Sequence, residues 1–434
     1  MIKVLKFGGT SVGSAANMKK VAEIVRREQA RITVLSAMSG TTDSLVRISR
    51  AAASGDRNAI EEQLVMLTDK YTRCIEELLR ERKQQALARM NATFGLIRDE
   101  AAAFEEYGSE RKIIAQGELL TSAIFTAYLQ ETGLKAECLY SPDFMVKDPG
   151  EKVDTERIGR ALARVAGDDS TFFVAQGFIC SDSQGRIDNL GRGGSDYSAA
   201  LMGAAVEAAE VQIWTDIDGM HNNDPRFVDN TRPIRTMSFD EAAELAYFGA
   251  KILHPATIQP CKDHGIAVLL KNTMDPEAPG TTISNRDDDT KSFHAVAAKD
   301  GITVIRIHSA RMLMAYGFLR KVFEIFEQYR TPIDMITTSE VAVSLTVDND
   351  SHIDEIVRDL SALGSIEIER GNSIVCVVGR MEHGDAGLAA RVFECVRGVP
   401  IKMISYGASH RSLAILIDTE HKKRTLQCLN DGLF

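Results

Sequence analysis

Paired cysteines, membrane-length apolar runs and blocks of positive charge are all missing from this sequence. Its seven cysteines (Cys74, Cys138, Cys180, Cys261, Cys376, Cys395 and Cys428) form no CxxC pair and keep no Cys/His metal spacing. That argues against a disulfide framework or a zinc ribbon and fits reduced thiols in a cytosolic protein. No apolar stretch reaches the roughly 18 residues that a membrane span needs. The opening MIKVLKFGG has neither the basic n-region nor the apolar h-region of a secretory leader. The formal net charge is −10 and no long Lys/Arg block occurs, so a general nucleic-acid-binding role is disfavoured. A cytoplasmic location, with neither membrane nor nucleic acid as partner, is therefore expected.

What is present suits a large soluble chain. With 434 residues, two or three domains and a sizeable core are expected. Short apolar runs at 2–7 (IKVLKF), 31–37 (RITVLSA), 171–177 (TFFVAQG), 211–216 (VQIWTD) and 266–272 (IAVLLKN) read as buried strands, with helical patterns between them. Strands alternating with helices imply an α/β fold with a mainly parallel sheet. Residues 51–112 are rich in Ala, Glu, Leu and Arg at helical spacing and read as a helical insertion. Near 275–292 the texture turns polar, with Pro and Gly, which marks a domain boundary. Beyond it the chain repeats itself. GFLRKVFE (317–324) matches GLAARVFE (387–394), PIDMI (332–336) matches PIKMI (400–404), and VSLTVD (343–348) matches LAILID (413–418). Two small modules of this kind must pack together to build a core.

Three clusters could carry chemistry. Lys6 ends the first strand and is followed by Gly8, Gly9 and Ser11 in a turn that opens a helix. Glycines let main-chain amides approach phosphate oxygens, a helix amino end adds partial positive charge, and the ammonium adds a full one. A plain strand-to-helix turn with a solvated lysine reads equally well on this stretch alone. The lysine precedes the glycines, so this is neither a Walker A loop nor GxGxxG. A second glycine turn, Gly191 to Asp196, holds Arg192, Gly193, Gly194 and Ser195 ahead of another helix. Arginine's planar fork suits a carboxylate or phosphate, and a surface loop with a local Arg–Asp pair is the alternative. Two such turns at strand carboxyl ends would face one another across the crevice of an open α/β sheet. The third cluster, Thr215 to Arg226, lacks the spacing and final glutamate of an EF-hand. Thr215, Asp216 and Arg226 read as nucleotide contacts or as a turn stapled by Asp224-Pro225.

Taken together, KFGGTSV (6–12), SAMSGTT (36–42), GELLTS (117–122), GRGGSDYSAA (191–200), TDIDGMHNNDPR (215–226) and FGAKILHPATI (248–258), followed by a doubled small module, resemble the aspartate kinase family over nearly the whole chain. The resemblance implies an amino-acid-kinase fold, a three-layer α/β/α sandwich, followed by two α+β ACT domains. The implied bounds are 1–285 for the catalytic domain, 286–300 for a linker, and 301–370 and 371–434 for the ACT domains. It implies a phosphotransferase with a carboxyl acceptor, using ATP and Mg²⁺ carried on the nucleotide. The product is 4-phospho-L-aspartate, made in the first step towards lysine, threonine and methionine. No appended homoserine dehydrogenase is expected.

Carried residue by residue, the resemblance implies that Lys6 and Asp196 are catalytic. Lys6, Gly8, Gly9, Ser11, Thr215, Asp216, His221, Arg226 and Lys251 would bind ATP. Thr42, Glu118, Arg192, Gly193, Gly194 and Ser195 would bind L-aspartate. His221 stands where relatives often carry tyrosine. Met312, Phe318, Leu319, Ile333, Asp334, Thr338, Ser339 and Glu340 would form an effector site for lysine, alternatively threonine, with Ala315 where lysine-sensitive relatives can have serine. A homodimer or homotetramer through the ACT domains is implied. The competing readings are a kinase for glutamate, acetylglutamate, carbamate or a nucleotide monophosphate, and a catalytically dead amino-acid sensor.

Overall fold

The first strand, β1 (Lys3–Phe7), is sealed from solvent along most of its length, and its neighbours explain why. It pairs in parallel with β2 (Ile32–Leu35) on one side and with β7 (Glu210–Thr215) on the other. Near-continuous apolar runs such as ITVL and VQIW suit strands covered by helices on both faces. The computed structural model describes all residues except 151, 168–169, 250–252, 254, 287–291, 313–315 and 382–386. They form two units: Met1–Met220, Arg235–Phe239 and Leu253–Asp287 in the first, and His221–Ile234, Asp240–Ile252 and Asp288–Phe434 in the second.

The first unit is built on an eight-stranded sheet. Besides β1, β2 and β7 it contains β3 (Ala136–Cys138), β4 (Phe172–Gln176), β8 (Thr236–Ser238), β9 (Ala267–Asn272) and β10 (Thr281–Ser284). The order is β3-β4-β2-β1-β7-β9-β10-β8, and the one antiparallel pair is β9–β10. A hairpin of β5 (Ile179–Ser181) and β6 (Ile187–Asn189) lies apart from it. On one face, Leu5, Phe7, Leu35, Val174 and Trp214 share a core with α1 (Ala15–Glu28), α2 (Thr41–Ser54), α3 (Arg57–Leu78), α4 (Lys83–Ala102) and α5 (Glu106–Glu131). On the other, α7 (Gly194–Ala205) covers β1 and packs against α6 (Thr155–Gly167) and α9 (Pro255–Asp263). This is the expected α/β/α sandwich. The helical stretch read over 51–112 is longer than expected, because α2 begins at Thr41 and α5 runs on to Glu131. The short strands β3, β8 and β10 escaped the sequence reading because three or four residues carry no usable periodicity.

The second unit carries the doubled module as one six-stranded antiparallel sheet, ordered β12-β13-β11-β14-β16-β15. Its strands are β11 (Phe293–His308), β12 (Ile336–Thr338), β13 (Ala342–Val347), β14 (Ser365–Gly379), β15 (Met403–Tyr406) and β16 (Ser412–Asp418). Helices α8 (Phe239–Tyr247), α10 (Phe318–Gln328), α11 (Ile353–Leu360), α12 (Leu388–Cys395) and α13 (Lys422–Leu433) complete the numbering; Phe239 at the start of α8 is counted with the first unit and the rest of α8 with the second. The two long strands are shared. The later half of β11 and the start of β14 make one module with β12, β13, α10 and α11. The later half of β14 pairs with β16 and with the first half of β11, beneath α12 and α13. Residues 286–300 were expected to be linker; from Phe293 onward they are strand and supply the outer strand of the second module. Among the described residues, the segment that pairs with that edge of β14 precedes the first module in the chain.

Phe293 is 3 % exposed in the core of the second module. Phe293→Ala is therefore expected to cost about 3–5 kcal/mol, read as a lowered midpoint in denaturant unfolding, whereas a linker position would be silent.

Candidate active site

At the carboxyl ends of β1, β2 and β7 the chain makes its turns within reach of one another. The Gly8 amide donates to the Trp214 carbonyl at 3.2 Å, Ser36 to Phe7 at 3.2 Å, and Ser39 to Gly9 at 3.0 Å. A Cβ on Gly9 would lie 2.8 Å from the Ala37 carbonyl oxygen, so only glycine lets the two turns approach this closely. Ser11 was expected to line the phosphate turn. Its hydroxyl is fully buried and shares a 2.7 Å hydrogen bond with Thr273, so the side chain braces the turn from inside.

Lys6 lies on the face of β1 opposite Leu5 and Phe7, towards α7. Its ammonium meets Asp196 Oδ1 at 2.7 Å, and both side chains are mostly buried. The contact is an ion pair and not a well-aligned hydrogen bond. Removing one partner of such a pair strands the other charge, at a cost of about 3–5 kcal/mol. Asp196 is placed by the second glycine turn. Gly193 takes φ of 70° at the amino cap of α7, a left-handed conformation that favours glycine, and its carbonyl accepts the Asp196 amide at 3.0 Å. Ser36 donates to Ser195 at 3.0 Å, tying the β2 turn to the start of α7. Arg192 is exposed and makes no ion pair among the described residues.

The loop between β2 and α2 is held from α3 and α5. Glu118 Oε1 accepts the Ala37 amide at 3.1 Å, and Thr121 accepts the Met38 amide at 3.1 Å. The Tyr71 hydroxyl bonds Thr41 at 3.1 Å and Thr121 at 3.3 Å. Burial pushes the Glu118 carboxyl up to about 7, and its second oxygen has no donor among the described residues. Burial also pushes the Tyr71 hydroxyl up to about 12. Thr42 sits in the first turn of α2, directly after this loop. Sequence reasoning did not single out Ser36, Tyr71 or Thr121. Ser36 and Thr121 lie within the quoted motifs, whereas Tyr71 sits in a helix whose pattern gives no sign of what it touches.

Thr215 donates to Asp216 at 3.1 Å, at the end of β7. His221 and Arg226 belong to the second unit. His221 Nδ1 shares a 3.0 Å hydrogen bond with Thr231, and Arg226 forks onto Asp224, with its closest contact at 2.6 Å. Lys251 and Ala315 lie outside the described residues. Of the expected effector residues, Met312, Phe318, Leu319 and Ile333 pack into the core of the first module. Thr338, Ser339 and Glu340 are exposed where β12 turns into β13. The Asp334 side chain is 1 % exposed and already holds an ammonium: Lys299 lies 2.8 Å from Oδ1 and bridges to Asp348 at 2.8 Å. Tyr247 donates to the same Asp334 oxygen at 2.9 Å, and its ring lies under the Lys299 ammonium.

The model of the amino acid kinase family matches residues 1–272, and that of an ACT domain matches residues 375–433. Lysine-sensitive aspartokinase 3 of Escherichia coli is 33 % identical, with 100 % of this chain and 99 % of that protein covered. The chain belongs to the aspartokinase family. Chloroplastic aspartokinase 1 of Arabidopsis thaliana is also 33 % identical, over 99 % of this chain and 80 % of its own length. Among solved aspartokinases, E. coli aspartokinase III in complex with aspartate and ADP superposes with a TM-score of 0.88 at 32 % identity, covering both chains fully. The same enzyme in complex with lysine and aspartate gives 0.83 at 33 % identity, covering 100 % of this chain and 99 % of that one.

Because burial raises the Glu118 carboxyl in the folded chain above its ordinary value of 4.5, ionising it in place opposes folding. Its contribution is fully favourable below about 4.5 and is lost as pH rises through about 7. Glu118→Gln keeps the acceptor for Ala37 and removes the titration. Melting curves against pH are expected to show wild type and variant alike near pH 4, and the variant more stable above pH 7 by about 3 kcal/mol.

Proposed function

We propose that this chain transfers the γ-phosphoryl group of MgATP to the side-chain carboxylate of L-aspartate, giving 4-phospho-L-aspartate, the first step towards lysine, threonine and methionine. The observation that carries the reading is the gathering of Lys6, Asp196 and two glycine turns at the carboxyl edge of a parallel sheet, in a chain so similar throughout to aspartokinases.

The acceptor carboxylate is already ionised at neutral pH, with an ordinary pKa near 4, so no general base is required. The obstacle is repulsion between two anions, about 4 kcal/mol for unit charges about 4 Å apart at an effective dielectric of about 20. Lys6 meets the transferring phosphoryl group, and Asp196 holds the ammonium in place. The turn through Gly8, Gly9 and Ser11 lines the phosphates, with Mg²⁺ entering on the nucleotide. Thr215, Asp216, His221, Arg226 and Lys251 serve the rest of ATP; Arg226 would leave Asp224 to do so. Arg192 clamps the α-carboxylate of aspartate, with Thr42 and the amides of Gly193, Gly194 and Ser195 around it. Glu118 receives the α-ammonium, and that incoming charge supplies the partner its buried oxygen lacks.

The ACT modules bind a feedback amino acid, lysine or alternatively threonine, and pair between copies in a homodimer or homotetramer in the cytoplasm. Effector binding works by shifting a two-state equilibrium. An effector ammonium aimed at Asp334 competes with Lys299 for the same carboxylate.

An ADP-release assay with aspartate, glutamate and carbamate as acceptors tests the reaction; activity with aspartate alone is expected. Lys6→Met is expected to abolish turnover while circular dichroism stays unchanged, and near-normal kcat would remove Lys6 from the site. Lysine and threonine titrated to millimolar levels, singly and together, should inhibit; no response to either would remove the regulatory half of the proposal.

A further inference from the structure

We infer that Lys70 is a positioning residue for the acceptor amino acid: it holds the loop between β2 and α2 and adds its charge to the amino end of α2. The inference rests on the aspartate reading of that loop given above.

The Lys70 ammonium donates to the Ser39 carbonyl and approaches Thr41 Oγ1 at 3.5 Å. It pairs with no carboxylate among the described residues, so its charge is uncompensated. Burial pushes its pKa down from the ordinary lysine value, as expected for a half-buried ammonium without an anion beside it. Ser39 is thereby held on both sides, its amide by the Gly9 carbonyl at 3.0 Å and its carbonyl by Lys70. A helix from the far side of the core thus fixes the spacing between the acceptor loop and the phosphate turn.

The second consequence is electrostatic. Gly40 caps α2 without a side-chain acceptor, and the amides of Thr42 and Asp43 find no acceptor among the described residues. Those free amides carry partial positive charge. Lys70 adds a full charge beside them and turns the negative end of the Ser39 carbonyl dipole to its own use. In a site that must bring two anions together, such a charge favours the acceptor carboxylate. Tyr71, the next residue, reaches the same loop through Thr41, so consecutive positions of α3 serve one purpose.

Three variants separate holding from charge. Lys70→Arg keeps donor and charge, Lys70→Gln keeps a donor alone, and Lys70→Met keeps neither. The expected result is an aspartate KM that rises in the order Arg, Gln, Met, by about tenfold for Met, equivalent to about 1.4 kcal/mol. The KM for ATP should stay within about twofold, since the Gly8 bond to Trp214 holds the phosphate turn without Lys70. Added salt should raise the aspartate KM of wild type and Lys70→Arg more than that of Lys70→Gln, because screening acts on the charge. An unchanged aspartate KM in a folded Lys70→Gln enzyme would overturn the inference. So would an equal rise in both KM values accompanied by a lowered melting temperature, which marks a purely structural part. Failure of the wild-type enzyme to phosphorylate aspartate would instead overturn the reaction proposed above.

Discussion

Parallel pairing of β1 with β2 on one side and β7 on the other is the constraint on which the site depends. Parallel strands end together at one edge, so the turns after Phe7, Leu35 and Thr215 come out side by side. Hydrogen bonds from Gly8 to Trp214 and from Ser36 to Phe7 continue the ladders one step past the strands and fix those turns. Lys6, one residue before the end of β1, then projects to the face that carries α7. Without that strand order, Lys6 and Asp196, 190 positions apart in the numbering, have no reason to meet.

Charge is placed in this protein by what surrounds it. Glu118 has one oxygen unmet among the described residues, and burial pushes its carboxyl up to about 7. Lys70 is half-buried with only neutral oxygens as partners. Lys299, by contrast, is wrapped by Asp334, Asp348 and the Tyr247 ring, and those carboxylates raise its pKa despite burial. The first two groups have no oppositely charged partner among the described residues; the third is balanced from within.

The second unit shows how a repeat acquires a shared core. Each module of about 70 residues has too little apolar surface to stand alone, and the long strands β11 and β14 each serve both. Register shifts between Lys299 and Val304 mark where β11 passes from one to the other. The exchange explains why a stretch of ordinary appearance at 293–297 is buried like a core strand.

Much of the first unit was legible. Apolar runs punctuated by glycine announced β1, β2, β4, β7 and β9, and the two glycine turns stand where helices α1 and α7 are about to begin. The repeat beyond residue 300 was visible as matched segments. What the sequence by itself determined was therefore local: which stretches extend, which coil, and where glycine lets the main chain turn and approach closely, because these depend on spacing and on the absence of a Cβ. Only the tertiary structure decided which distant groups meet. That Lys70 and Tyr71 reach the stretch between β2 and α2, that Ser11 turns inward, that Phe293 belongs to the last module and that Lys299 already meets the Asp334 carboxylate all follow from strand order and helix packing. Those contacts join residues tens to hundreds of positions apart, and no local pattern encodes such a distance.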